Sequence, residues 1–123
     1  MGYGLHIVRT PNWVDAARSP ITREEMNGLV DSDPELEWSA SDYVDMKNEA
    51  GSVARYPMIR WHGLPCFWWY EDQIISKSPD QAEIAKLIHI ARVLNAHVVG
   101  DEGERYLLRR DLLGREKIHV VQS

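Results

Sequence analysis

The segment from Ser78 to Asn95 constrains the fold more than any other stretch of the chain. Ser78 is placed to cap a helix, and Pro79 fits the first helical position, where a missing N–H is no loss. Asp80 complements the positive helix end, and Gln81 completes a capping box. Ala85, Ile88, Ala91 and Leu94 then recur on one stripe, widened by Ile84, Leu87 and Ile90. A stripe that wide has to lie on an apolar surface. The helix is expected to reach about Leu94, with Asn95 in the left-handed position that ends it.

A shorter helix is marked upstream. Thr22 is a good N-cap, Glu25 stands three residues on to complete its box, and Ile21 and Met26 occupy the staple positions. Met26, Leu29 and Val30 supply the apolar face, and Asp33-Pro34 disfavours continuation, so the helix is expected over about 23 to 31.

What lies around these helices reads as strands. Residues 3 to 9 alternate Tyr3, Leu5 and Ile7 with Gly4, His6 and Val8, a pattern for a strand with one well-buried face. Trp13 to Pro20 has no usable period and reads as a loop pinned by Trp13. From Glu35 to Gly51 apolar residues are sparse, compatible with two short strands or a strand and a loop. Ser52 to Trp61 reads as a strand in which Pro57 suggests an edge or a bulge. Cys66 to Tyr70 and Ile74 to Lys77 look like a hairpin joined through residues 71 to 73, and residues 97 to 99 and 105 to 108 like another. Ile118 to Val121 fits a last strand. The expected architecture is α+β: one domain over residues 1 to 123, an antiparallel or mixed sheet with two main helices packed on it.

Length and composition agree with that architecture. A chain of 123 residues is one ordinary domain. Surface scaling gives roughly 20,600 Å² for the unfolded chain and about 6,800 Å² for the folded one, enough burial to fold without metal, disulfide or cofactor. The single cysteine, Cys66, cannot form an internal disulfide, which points to a reducing compartment. Residues 1 to 9 lack the basic flank and apolar run of a signal peptide. No apolar stretch approaches the roughly 20 residues that span a bilayer. A cytoplasmic protein without membrane contact is the expectation.

No strong catalytic signature is present. His6, His62, His89, His97 and His119 show no zinc spacing, so no metal is expected. Cys66 follows His62 closely enough to suggest an activated thiolate in a small hydrolase or transferase with an aromatic pocket, or simply a buried cysteine opening an apolar strand. The 100 to 103 turn, Gly100-Asp101-Glu102-Gly103, carries an acidic pair that would repel phosphate.

Aromatic residues and charge are laid out more tellingly. Trp61, Phe67, Trp68, Trp69 and Tyr70 crowd one hairpin, and neighbours on a strand face opposite sides. Either Trp68 and Tyr70 pack under the second helix while Phe67 and Trp69 look outward, or the reverse; an outward Trp69 would be a binding anchor. The window from Asp31 to Glu49 carries Asp31, Asp33, Glu35, Glu37, Asp42, Asp45 and Glu49 against Lys47, a net of −6 in a chain of −5. By contrast Arg105, Arg109, Arg110, Arg115 and Lys117 face only Asp111 and Glu116, a net of +3. That layout opposes general affinity for nucleic acid. An acidic window interspersed with Trp38, Tyr43 and Met46 is either a solvated loop or a docking surface for a basic protein, and the second reading names Asp31, Asp33, Glu35, Glu37, Trp38, Asp42, Tyr43, Asp45 and Trp69 as its residues.

Two stretches carry a family likeness. The first runs from Arg9-Thr10-Pro11 through Pro20-Ile21-Thr22-Arg23-Glu24-Glu25 to Asp33-Pro34-Glu35-Leu36. The second runs from Lys77-Ser78-Pro79-Asp80-Gln81 through Ile90-Ala91-Arg92-Val93-Leu94-Asn95-Ala96 to Val99-Gly100-Asp101-Glu102-Gly103-Glu104-Arg105-Tyr106. In these the chain resembles the small bacterial immunity-type proteins that neutralise secreted antibacterial toxins of polymorphic or type VI effector systems. Gln73 stands where a glycine is expected in the hairpin turn. The resemblance implies a binding protein that masks the active site or an essential surface of a cognate toxin and has no catalysis or cofactor of its own. A non-enzymatic regulatory or scaffold subunit is the other binding alternative.

Overall fold

The computed structural model describes residues 3–47 and 50–122. Strand β1 (Gly4–Val8) leads through a 3-10 segment, Trp13–Arg18, into helix α1 (Arg23–Ser32). A four-strand meander follows: β2 (Leu36–Lys47), β3 (Val53–Trp61), β4 (Leu64–Tyr70) and β5 (Gln73–Lys77). Helix α2 (Gln81–Val93) then precedes β6 (His97–Gly100), β7 (Arg105–Arg110) and β8 (Glu116–Val121). All eight strands form one sheet in the order β2-β3-β4-β5-β1-β6-β7-β8, every neighbouring pair antiparallel. The α+β architecture with two main helices is thus present, and the sheet is antiparallel rather than mixed.

The helices cover one face. Met26, Leu29 and Val30 of α1 and Leu87, Ile88, Ile90 and Ala91 of α2 pack on Leu5, Ile7, Ile59, Phe67, Ile74 and Val98. The caps explain why the helices start where they do. Thr22 and Glu25 make the expected reciprocal box, but α2 is capped two residues later than the sequence suggests, by Asp80 with Glu83. Ser78 instead takes a left-handed φ of 47° in the approach, while Asn95 adopts its expected left-handed conformation at φ 54°.

β1 departs from its one-faced reading, because all five of its residues are buried. It is the central strand, and its second face is covered by the 3-10 segment: Val8, Val99 and Ala16 form a small core with Trp13 packed against it. Of the two readings for Glu35 to Gly51, the structure takes the strand and loop. That span yields one twelve-residue outermost strand, β2. Its register with β3 breaks between Trp38, opposite Ile59, and Tyr43, opposite Pro57, so residues 39–42 stand across from Met58 alone. Ser39 holds this bulge, its Oγ accepting from the N–H groups of Ser41 and Asp42 at 3.2 and 2.9 Å and donating to Asp42 Oδ2 at 2.7 Å. Pro57 signals a bulge correctly, but that bulge is in the strand beside it. The β4–β5 turn is the pair Glu71-Asp72, with Glu71 supplying the positive φ, so Gln73 is the first strand residue and the turn needs no glycine there.

Arg9 straps the two helices together. Its guanidinium donates to Leu94 O, at the C-terminal end of α2, at 3.0 and 2.8 Å, and to Pro20 O at 2.9 Å, and it also pairs with Glu25. That partner holds the Glu25 carboxyl at about 2, against an ordinary 4.5. A depressed acid stabilises the fold fully above its unfolded value and loses that contribution as pH falls through the folded one. Denaturation of the wild type between pH 5 and about 2 should therefore show a loss of roughly 1 kcal/mol, discounted for the partial exposure of the pair, that Glu25→Gln abolishes.

Candidate partner-binding edge

The acidic window lies along β2 and the α1–β2 connection, the outer edge of the sheet. Asp31 is exposed in the last turn of α1. Asp33, which closes α1, and Glu35 both meet Lys86 of α2, whose Nζ donates to Asp33 Oδ2 at 2.8 Å and to Glu35 Oε1 at 2.7 Å. Lys86 holds Glu35 below the ordinary carboxylate range. At Asp33 burial pushes the other way, but hydrogen bonds from Lys86 and from the Glu35 backbone outweigh it. Glu37 and Asp42 lie 3.6 and 3.9 Å from Arg60 of β3. Asp45 accepts from Arg55 Nε at 2.9 Å, which lowers its pKa. Glu49 falls outside the described residues.

The window is therefore not the uninterrupted negative patch that a linear count suggests. Register puts Glu37 and Tyr43 on opposite faces of β2, and three cations from distant segments, Arg55, Arg60 and Lys86, are set against its carboxylates. Sequence reasoning could have seen Arg55 and Arg60 as the cross-strand partners of a hairpin, but Lys86 reaches the window only through tertiary packing.

The rings divide unequally. Tyr43 is 47% exposed, its hydroxyl donating to Ala40 O at 3.1 Å while the Arg55 guanidinium lies 5.5 Å from its ring. Trp38 and Trp69 are half-buried and pack against the helix-side core, sandwiching around Arg23, whose guanidinium stands 4.4 Å from the first ring and 6.0 Å from the second. The Trp69 indole donates to Ile21 O at 2.7 Å. Phe67 and Trp69 thus take the helix side, and Trp68 is buried on the other. Of the three rings named as anchors, Tyr43 alone is exposed; Trp38 and Trp69 are half-buried.

His62 and Cys66 do not form an activated pair. A bulge in β4 lets Cys66 and Phe67 both turn into the core, and burial pushes the Cys66 thiol far above its ordinary value, with Glu83 adding to the shift. Nucleophilic cysteines need the opposite environment. His62, at φ 51° in the β3–β4 turn, lies out in solvent with Nε2 3.5 Å from Glu35 Oε2. A thiol reagent such as DTNB should modify Cys66 in the native protein at least a hundredfold more slowly than in the unfolded chain; comparable rates would restore the thiolate reading.

A polar cluster that the sequence did not reveal is buried at the middle of the sheet. His6 Nε2 meets Asp101 Oδ1 at 2.8 Å and Nδ1 meets Gln73 Oε1 at 2.7 Å, while Trp13 stacks on the ring at 4.6 Å with planes 4° apart. Gly4 gives Asp101 its place, since a Cβ there would stand 2.6 Å from the carboxylate. On the helix side, Glu104 lies over Gly100 and accepts from the hydroxyls of Tyr3 and Tyr106 at 2.5 and 3.0 Å; burial and this carboxylate raise both phenols to about 12. With both ring nitrogens engaged and one ring face covered, His6 has no position left for a substrate. The cluster ties the 3-10 segment and the β6–β7 turn to β1. Glycines opposite the acidic turn 100–104 were the only legible trace of it.

Among the described residues, no group of three or more His, Cys, Asp or Glu side chains is placed to hold a metal ion, and no helix is long and apolar enough to cross a membrane. No family model, curated protein or solved structure matches the chain.

Proposed function

We propose that this chain is an immunity-type binding protein of the bacterial cytoplasm, which neutralises a cognate toxin by covering its active site or an essential surface with the β2 edge. The observation that carries the reading is the outermost strand itself: twelve residues long, with Tyr43 exposed and Glu37 and Asp45 reaching solvent on its two sides. The bulge at 39–42 and the charged side chains around it break the flat ladder that an added strand would need. Docking on this edge is therefore by side chains, with Tyr43 as the anchor and carboxylates steering a basic surface of the toxin. The pairing of most carboxylates to Arg55, Arg60 and Lys86 leaves them fixed in place, so a partner meets them without first ordering them. The likeness to immunity-type proteins supports the same class, and nucleic acid is not the expected partner of such an edge.

Co-expression with the toxin domain encoded beside the gene tests this directly. Wild-type protein should restore growth, and a Tyr43→Ala, Glu37→Gln, Asp45→Asn variant should bind that domain at least tenfold more weakly, with a slower association that depends less on salt. Full protection and unchanged affinity in the triple variant would remove the β2 edge from the mechanism. Binding with no protection of cells would favour a regulatory subunit.

A further inference from the structure

The β7–β8 hairpin ends in two leucines with nothing to cover them: Leu112 is 105% exposed and Leu113 76%. The turn that carries them is rigid. Asp111 N donates to Arg115 O at 2.8 Å, Gly114 N to Asp111 O at 3.0 Å, and Asp111 Oδ1 accepts from the backbone of Leu113 and Arg115 at 2.9 and 3.0 Å, with Gly114 at φ 78°. Around this tip stand Arg109, Arg110, Arg115 and Lys117. Arg115 and Lys117 lean on Asp111 at 3.3 and 3.8 Å, whereas Arg109 and Arg110 are exposed and have no ion pair among the described residues. The hydrogen bonds thus fix the backbone of an apolar wedge inside a basic collar, so a partner has only the side chains left to order.

The same molecule carries a groove of the opposite character. About 390 Å³ in volume, it is lined by the apolar Trp61, Leu64, Pro65 and Cys66, by the carboxylates of Asp80 and Glu83 and by His62, and Leu64 is 71% exposed beside it. Glu35, 3.5 Å from His62, extends the negative rim. The wedge cannot reach the groove of its own chain. β3 and β7 run in opposite directions, so the turns that follow them lie at opposite ends of the sheet, with β5, β1 and β6 between.

We propose that this wedge and groove are the two halves of a self-association contact, the Leu112-Leu113 tip of one molecule seating among Trp61, Leu64 and Pro65 of a second copy while Arg110, on the same face of β7 as Tyr106 and Leu108, meets Asp80 and Glu83. A reciprocal pair, each tip in the other's groove, leaves neither half exposed and closes with twofold symmetry. Local charge complementarity selects a second copy over a lipid surface: a copy offers the basic tip the acidic pair Asp80 and Glu83, whereas Asp111 and Glu116 within the collar are unfavourable toward anionic headgroups. The contact does not use Tyr43, so it stands or falls separately from toxin neutralisation.

Sedimentation equilibrium of the purified chain at low salt, up to submillimolar concentration, tests the proposal. A dimer mass is expected. Both Leu112→Asp with Leu113→Asp and, separately, Leu64→Glu should weaken dimerisation at least tenfold, with unchanged circular dichroism because all three side chains are exposed. Mixing the two variants should give a one-to-one pair tighter than either variant forms alone but weaker than the wild-type dimer, since one of the two contacts is intact and the other is disrupted on both sides. A monomer across the whole range overturns the proposal, as does a dimer indifferent to both variants. Cosedimentation of a monomeric chain with phosphatidylserine–phosphatidylcholine vesicles, lost in the leucine variant, would overturn it in favour of a lipid partner.

Discussion

Asp101→Ala is expected to lower the unfolding free energy by about 3 kcal/mol, measured by urea denaturation at neutral pH, with Asp101→Asn costing roughly 1 kcal/mol. The carboxylate serves two groups at once: Oδ2 accepts from the Gly4 N–H at 2.8 Å and Oδ1 meets His6 Nε2 at 2.8 Å. Both belong to β1, which is buried throughout. Removing the acceptor leaves a buried backbone donor and a buried imidazole nitrogen without their partner. Burial opposes ionisation of this carboxyl, yet the bonds from His6 and Gly4 outweigh it and hold its pKa low, so the charged form belongs to the folded state. A loss of 3 kcal/mol is a large share of the 5 to 15 kcal/mol typical of such domains. The 3-10 segment should open with it, because Trp13 is stacked on His6 and its indole donates to Asp101 O at 3.0 Å. Wild-type stability in Asp101→Ala would show that the cluster does not lock the sheet.

That cluster marks where the sequence stops being readable. Local signals were reliable: the box at Thr22 and Glu25, the proline-marked approach to α2, Asn95 at its end and the hairpins around the 71–72 and 101–104 turns all carry their chemistry within a few residues. What failed depended on neighbours far along the chain. Nothing in residues 3 to 9 says that β1 will stand at the centre of eight strands, with a 3-10 segment over its second face. Asp80 rather than Ser78 caps α2 because an N-cap residue is extended, as Asp80 is, whereas Ser78 is held at a left-handed φ of 47° with its N–H bonded to Tyr3 O at 2.8 Å in the sheet. The acidic window looked like a patch because Lys86 is remote in sequence and because Arg55 and Arg60 fall just beyond it, set against its carboxylates only by the β2–β3 register. Sequence order gave the charge total; register decided which charges are paired.

Trp69→Ala should lower stability by about 3 kcal/mol, whereas Tyr43→Ala should change it by less than about 0.5 kcal/mol. The contrast follows from where each ring lies on a face that the sequence treated as one surface. Trp69 stands opposite Ile74, packs on the helix-side core, donates to Ile21 O just before α1, and shares Arg23 with Trp38. Its removal therefore loosens the seating of α1 as well as emptying the space the ring filled. Tyr43 is 47% exposed, its hydroxyl and ring meeting Ala40 O on β2 and Arg55 on β3 at the surface. Toxin affinity should show the reverse order once each variant is measured at a temperature where it is fully folded: a tenfold or greater loss for Tyr43→Ala, and a small one for Trp69→Ala. If Trp69→Ala kept its stability and lost its affinity, the outer edge of that indole would be the anchor, and docking would centre on the Arg23 side of the sheet instead of on β2.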